Sequence, residues 1–297
     1  MSSIKLRLLR AVFTHFGHCG TASRLRWGRA LGWLAPRLLK SRAHVVRTNL
    51  RLCFPEHSED EREAWLRRHF RLLAQSVVDR GLLWFGSVED ITAAIDIRGL
   101  EHLERLLAAK RPILMLAPHF IALDAAATRL TEFLERAATL YTPQSDPDVD
   151  RIVRDGRARF NDVRLLSRRD GVRGLIRQLR QGVPIYYLPD MDFGRQGAIF
   201  VPFFGIPAAT IPATAQIARA WDAAVVPIVS RLDEASGRYS VDVLAPLDDF
   251  PGDDDPQQAT RRINELLEQW VRSDPAQYYW VHRRFKTRPQ QSDKKFY

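Results

Sequence analysis

The apolar positions of this chain follow two periods. In the first third the period is helical: Ile4, Leu8, Val12 and Phe16 share one face, and Leu31, Leu34 and Leu38 share another. The spacing predicts helices over 3–17 and 23–40, broken at Gly17 and Gly20 and with Pro36 near the second end. A short helix over 43–53 is stopped by Pro55. Ser58 followed by Glu61 forms a capping box, in which side chain and backbone satisfy each other's free N–H groups. It opens a long helix reaching Leu83, with Trp65, Phe70, Leu73 and Val77 at helical spacing and Gly86 as its stop.

From residue 95 short apolar runs alternate with helical patterns. Strands are predicted at 95–98, 113–117, 140–142, 183–188, 225–229 and 239–244. Helices are predicted at 100–109, 122–134, 170–181 and 213–221. Asp146 before Pro147 and Asp255 before Pro256 are helix starts, because proline at the first helical position sacrifices no hydrogen bond. The first of these helices runs towards Phe160 and the second to about Arg272. Alternation of this kind argues an α/β fold, a single central mixed sheet flanked by helices with an N-terminal helical extension. The natural division is a helical arm over 1–56 and an α/β domain over 57–297.

Charge changes the picture of the arm. Of 45 Lys and Arg residues, eleven lie within the first 51 positions, and the first acidic residue is Glu56. The remaining 34 basic residues face all 35 acidic ones, so the net +10 resides in the arm. Such an arm seeks an anionic surface, nucleic acid or the cytoplasmic leaflet of a membrane. Its interleaved apolar residues, with Trp27 and Trp33, favour an amphipathic anchor lying in the membrane plane, and an ordinary packed helix pair is the alternative. No run of about 18 apolar residues spans a bilayer. Nothing resembles a helix-turn-helix or an aromatic RNA-binding sheet. The two cysteines, Cys19 and Cys53, show no metal or disulfide spacing and fit a reducing compartment.

Candidate chemistry gathers at strand ends. The run RPILMLAPHFIALD places His119 just after the 113–117 strand and Asp124 in the first turn of the next helix. Ligands of open α/β sheets bind at such carboxyl ends. A histidine on that turn can reach a first-turn carboxylate, which would fix its tautomer and leave the other ring nitrogen as a base. Asp190 and Asp192 follow the 183–188 strand and read equally as metal or acid/base carboxylates and as residues structuring the Gly194–Gly197 loop. Arg151, Arg154, Arg157 and Arg159 form a cluster suited to an oxyanion or phosphate, or a charged face paired with Asp148, Asp150 and Asp155. The stretch FVPFFGIPAATIP reads as an apolar loop suited to an acyl chain.

The His119–Asp124 run resembles the His-x-x-x-x-Asp/Glu signature of glycerolipid-type acyltransferases. The wider set resembles the late acyltransferases of lipid A biosynthesis, the lauroyl and myristoyl transferases. It comprises TNLRLCFPEHSEDER, LAPHFIALD, RDGRARF, LPDMDFGRQGAIFVPFFG, AATIPATAQIAR and YYWVHRRFKTRP, in that order over 48–289. The resemblance implies a glycerol-phosphate-acyltransferase-like fold. It implies an enzyme at the cytoplasmic face of the inner membrane that moves a fatty acyl chain from acyl carrier protein to a hydroxyl of a Kdo-bearing lipid A precursor. It assigns His119 as general base, Asp124 as its acidic partner, and Arg157 and Asp190 as further, substrate-binding site residues. It requires no metal and no cofactor, and no nucleic-acid partner. No Gly-x-Ser-x-Gly elbow is present, which favours direct transfer over an acyl-enzyme. The chain departs from the family in two ways. Many lauroyl members carry Glu where Asp124 stands, and many begin with a spanning helix where this arm is broken by charges. Another lipid acceptor, such as a lysophospholipid, ornithine lipid or glycolipid, stays open, as does a non-enzymatic membrane-binding protein.

Overall fold

A computed structural model describes residues 3–167 and 170–297. Three helices, α1 (Ile4–His18), α2 (Thr21–Leu38) and α3 (Lys40–Cys53), lead into the long α4 (Glu59–Phe85) and the short α5 (Val88–Ala94). There follow β1 (Ile95–Arg98), α6 (Leu100–Ala108), β2 (Ile113–Leu116), α7 (Leu123–Phe133), β3 (Arg136–Tyr141) and α8 (Pro147–Arg157). Next come β4 (Asp162–Ser167), α9 (Gly171–Leu179), β5 (Ile185–Tyr187), β6 (Ile199–Phe203), β7 (Ile206–Thr210) and α10 (Ala213–Trp221). The chain ends with β8 (Ala224–Leu232), β9 (Tyr239–Val243), α11 (Pro256–Ser273) and an irregular tail.

Seven strands form one sheet in the order β1-β9-β8-β2-β5-β3-β4. Every neighbouring pair is parallel except β8 and β9, so the sheet is mixed as predicted. The central β2 is buried along its whole length, the expected state of a parallel strand covered on both faces. Ile113 and Met115 face a layer holding α6, α7 and part of α4. Leu114 and Leu116 face the layer of α3, α9, α10 and α11.

The caps form as the sequence requires. Ser58 and Glu61 exchange hydrogen bonds at the start of α4, Asp146 caps α8, and Asp255 caps α11 through a second capping box with Gln258. Several elements differ from expectation, among them the short helix α5, which is not among the predicted helices. Residues 162–167 form an edge strand, β4, although their half-buried pattern lacks strict alternation. The proline-rich FVPFFGIPAATIP stretch is not an open loop: it folds as the β6–β7 hairpin, with Pro202 opposite Pro207. An isolated two-stranded pair has no inner ladder for proline to break. Val201, Phe203, Ala208 and Ala209 are buried, so this stretch packs into the core against α11 instead of standing open as a loop.

The arm is docked on the domain. Helices α1 and α2 lie along α4. The contact on α2 is close because Gly32 presents no side chain: a Cβ there would stand 2.4 Å from the Cα of Arg71. Among the described residues, cations of the arm find carboxylates in later segments, as in Lys5–Asp146, Arg10–Asp155, Arg24–Asp79, Arg47–Glu63 and Arg51–Glu59. The Arg24–Asp79 pair is buried, and Gln75 and Tyr239 add hydrogen bonds of 2.8 Å each to the same carboxylate. Ile4, Leu8, Trp33 and Leu38 nonetheless stay exposed, at 86%, 65%, 62% and 70%. No helix among the described residues is long and apolar enough to cross a membrane.

Candidate functional site

Two neighbouring strands and the C-terminal tail build the site. The ladder between β2 and β5 continues one step past β2, where the Ala117 N–H donates to the Tyr187 carbonyl at 2.8 Å. Each chain then meets a proline, Pro118 or Pro189, and turns. Because the strands are parallel and adjacent, His119 and Asp190 emerge side by side. The tail closes the turn from the other side. The Tyr279 N–H donates to the His119 carbonyl at 2.9 Å, and the Ile121 N–H to the Gln277 carbonyl at 2.8 Å. Phe120 bridges Tyr278, and the Tyr279 ring centroid stands 6.2 Å from the imidazole.

The Asp190 side chain is 1% exposed and clamps one residue twice. One oxygen accepts the His119 backbone N–H at 2.9 Å, and the other lies 2.7 Å from Nδ1. A carboxylate only accepts, so Nδ1 carries the proton and Nε2 keeps the lone pair. Burial pushes the Asp190 carboxyl upward. Attraction to the His119 ring when it is protonated, the two hydrogen bonds from that residue and the neighbouring Tyr278 hydroxyl outweigh burial and hold the group below its ordinary 3.8.

Asp124 is engaged elsewhere. The Arg157 Nε–H donates to one oxygen at 3.0 Å, with a terminal nitrogen 2.8 Å from the same atom. Arg80 meets the other oxygen in the same way, its Nε–H donating at 3.2 Å and a terminal nitrogen standing at 3.1 Å. Burial raises the Asp124 carboxyl, but the two guanidinium groups outweigh it and keep it below 3.8. The expected contact between Asp124 and His119 is therefore not the one the fold makes. The tertiary partner of Nδ1 is Asp190, and the partners of Asp124 are Arg157 and Arg80.

Of the arginine cluster, Arg157 alone reaches this centre. Arg154 lies 5.5 Å from the Tyr141 ring, Arg159 binds the carbonyls of Leu83 and Gly86, and neither of these side chains bonds Asp124. Arg157 arrives because α8 sits against Trp84 at Gly156, where a Cβ would stand 2.3 Å from the indole. Asp192 joins a separate cluster. Its oxygens accept from Thr287 and the Gly194 N–H, and its own N–H donates to His282 Nε2 at 2.9 Å. Burial and the nearby Arg284 and His119 push His282 down to about 4, consistent with a neutral acceptor. Asp192 thus structures its loop, the second of the two readings open from sequence. Arg80 and Tyr278 were missed at the sequence level. Asp79-Arg80 interrupting the apolar VVDRGLLW segment was a signal for the first; the second opens the YYWVHRRFKTRP stretch but was not singled out within it.

A histidine held by a carboxylate stands at a strand end, and a second carboxylate, gripped by two arginines, lies in the first turn of the helix that follows. The family model for bacterial lipid A biosynthesis acyltransferases matches residues 7–287, and the chain belongs to that family. It is 36% identical over 266 residues to the lipid A biosynthesis lauroyltransferase of Escherichia coli strain K12, covering 89% of this chain and 86% of that protein. It is likewise 36% identical over 258 residues to that organism's lipid A biosynthesis myristoyltransferase, 87% of this chain and 79% of that one. A looser likeness links it to the crystal structure of the 1-acyl-sn-glycerophosphate acyltransferase PlsC of Thermotoga maritima. There the TM-score is 0.38 and the identity 14%, over 78% of this chain and 94% of that one.

Proposed function

We propose that this lipid A biosynthesis acyltransferase moves a fatty acyl chain from an acyl carrier protein thioester to a hydroxyl on a Kdo-bearing lipid A precursor. His119 is the general base. The observation that carries this reading is the Nδ1 contact of 2.7 Å with Asp190, which leaves Nε2 able to take a proton. Nε2 removes the acceptor hydroxyl proton as that oxygen bonds to the thioester carbonyl carbon. The negative charge passes to the carbonyl oxygen, for which the half-buried Arg157, held by Asp124, is the cationic donor. Collapse re-forms the carbonyl and breaks the C–S bond, and the imidazolium returns its proton to the departing thiolate. The product is an ester, and no metal or redox partner enters the balance.

The arm supports attachment to the cytoplasmic face of the inner membrane. Its exposed Ile4, Leu8, Trp33 and Leu38 suit the interface, and Arg26, Arg29 and Lys40 are exposed and suit anionic headgroups. Basic surface of this kind also suits an acidic carrier protein.

The test is an acyl-transfer assay. Detergent-solubilised protein is mixed with a tetra-acylated Kdo-lipid A precursor and acyl carrier protein thioesters of several chain lengths, and products are read by mass spectrometry. One added acyl mass is expected, lost by about 10²–10⁴-fold in His119→Ala, the usual range for a general base. Transfer from no donor to this precursor, with folded protein, rejects the acceptor assignment. The same donors are then offered to lysophospholipid and ornithine-lipid acceptors.

A further inference from the structure

We propose that the two acidic residues of the site have divided roles: Asp190, backed by Tyr278, is the positioning residue of the base His119, and Asp124 positions Arg157 and Arg80 instead. The proposal rests on the acyl-transfer reading for its kinetic consequences only; its geometry stands without a substrate.

Three observations carry it. First, Asp124 is engaged with arginines. Each of its oxygens accepts one guanidinium Nε–H, at 3.0 Å from Arg157 and 3.2 Å from Arg80, and a terminal nitrogen of each arginine stands 2.8 and 3.1 Å away. Second, Asp190 holds the backbone N–H and the ring of His119 at once, at 2.9 and 2.7 Å. A carboxylate bridging both groups of one residue fixes the imidazole orientation as well as its tautomer, which a contact to the ring alone would not do. Third, Asp190 is itself built in. It follows β5, the sheet neighbour of β2, and Tyr278 approaches it from the tail segment that pairs with residues 119–121.

The other titratable groups about the pair are Tyr187, Tyr278, Tyr279 and His282, with Arg284 behind them. None offers Nδ1 a closer acceptor among the described residues. The division also accounts for the chemistry at both ends of the reaction. Asp190 favours the imidazolium that forms when Nε2 takes the proton. Asp124 keeps two cations beside the reacting centre and cancels only one of their charges.

Nitrogen-15 histidine labelling tests the assignment without any substrate. Protein in detergent is examined for the Nδ1–H resonance of His119, assigned by its loss in His119→Ala. Asp190→Asn is expected to remove or strongly shift that resonance, Tyr278→Phe to shift it less, and Asp124→Asn to leave it in place. Asparagine is nearly isosteric and can still accept the His119 backbone N–H; circular dichroism checks that each variant is folded, and Tyr278→Phe serves if Asp190→Asn is not. Retention of the resonance in Asp190→Asn, or its loss in Asp124→Asn, overturns the proposal.

Kinetics give a second readout. The acidic limb of log kcat/KM is expected to move to lower pH in Asp190→Asn, because the variant removes the negative charge that meets the protonated ring. In Asp124→Asn activity falls but the limb stays where it is. A limb that moves in Asp124→Asn and not in Asp190→Asn reverses the roles and rejects the inference. If the wild-type protein acylates no lipid A precursor, the proposed function fails while the resonance experiment still decides this one.

Discussion

The N-terminal arm and the strand-end site both depend on arginine–carboxylate pairs, and the pairs do different things. On the arm, Arg10 and Asp155 meet with side chains 46% and 53% exposed, a pairing worth about 0–1 kcal/mol in water. Their effect is to cancel charge that the first 51 residues cannot cancel among themselves. One arm pair is different: Arg24 and Asp79 are almost completely buried and share a network with Gln75 and Tyr239. At the site, Asp190 is buried and the Asp124 side chain is only 12% exposed, and each oxygen has its donor. There the pairs fix orientation: which nitrogen of His119 is free, and where two guanidinium groups stand. A count of ion pairs along the sequence cannot separate these uses, because burial decides them.

The comparison breaks most sharply at the buried arm pair. Replacing Arg24 by Met strands the Asp79 carboxylate in a low-dielectric interior, and a loss of about 3–5 kcal/mol is expected. A thermal melt would read it as a markedly lower Tm. Removing Asp79 as well, with Leu, is expected to recover part of that loss. At a temperature where the variant stays folded, the His119 resonance should not move; if it does, the arm and the site are not separable.

Gly156→Ala comes next. The added methyl must displace the Trp84 ring or shift α8, a strain of about 1–3 kcal/mol. The shift is transmitted to Arg157, the next residue, so acyl transfer should fall more than stability alone predicts. Unchanged kcat/KM in the folded variant would show that α8 carries Arg157 with slack.

The smallest effect on stability is expected for Trp33→Ser combined with Leu38→Ser. Both side chains are exposed, so Tm should change by about 0.5 kcal/mol equivalent or less. Co-sedimentation with vesicles containing anionic lipid should nonetheless weaken, with transfer to detergent-dispersed acceptor retained. Undiminished vesicle binding would move the membrane contact away from this face.

Much of the fold was legible because its signals are local. Periodicity marked α1, α2 and α4, and the caps at Ser58, Asp146 and Asp255 depend on residues no more than three positions apart. The buried run before His119 announced β2 and, with it, the place where chemistry would sit. The β6–β7 hairpin misled because its prolines suggest a loop, and only packing on α11 reveals that its apolar side chains are core. β4 lacked a clean alternation because it lies at the sheet edge, partly covered on every residue but one.

The sequence by itself determined that a histidine would stand at the end of a buried strand, followed by a carboxylate five positions on, in a chain whose positive charge is concentrated at its start. It also contained every residue of the site. What it left undetermined was the pairing. Asp124 is near His119 along the chain, yet Asp190, 71 residues away, takes the imidazole. The reason is strand order: β5 is hydrogen-bonded to β2, and no local pattern encodes which strands become neighbours. The same holds for Arg80, delivered by α4 from 44 residues before Asp124, and for Tyr278, delivered by the tail. Side-chain chemistry is a property of residues, but a hydrogen bond requires two groups within 3 Å or so, and that distance is set by the packed sheet and its helices.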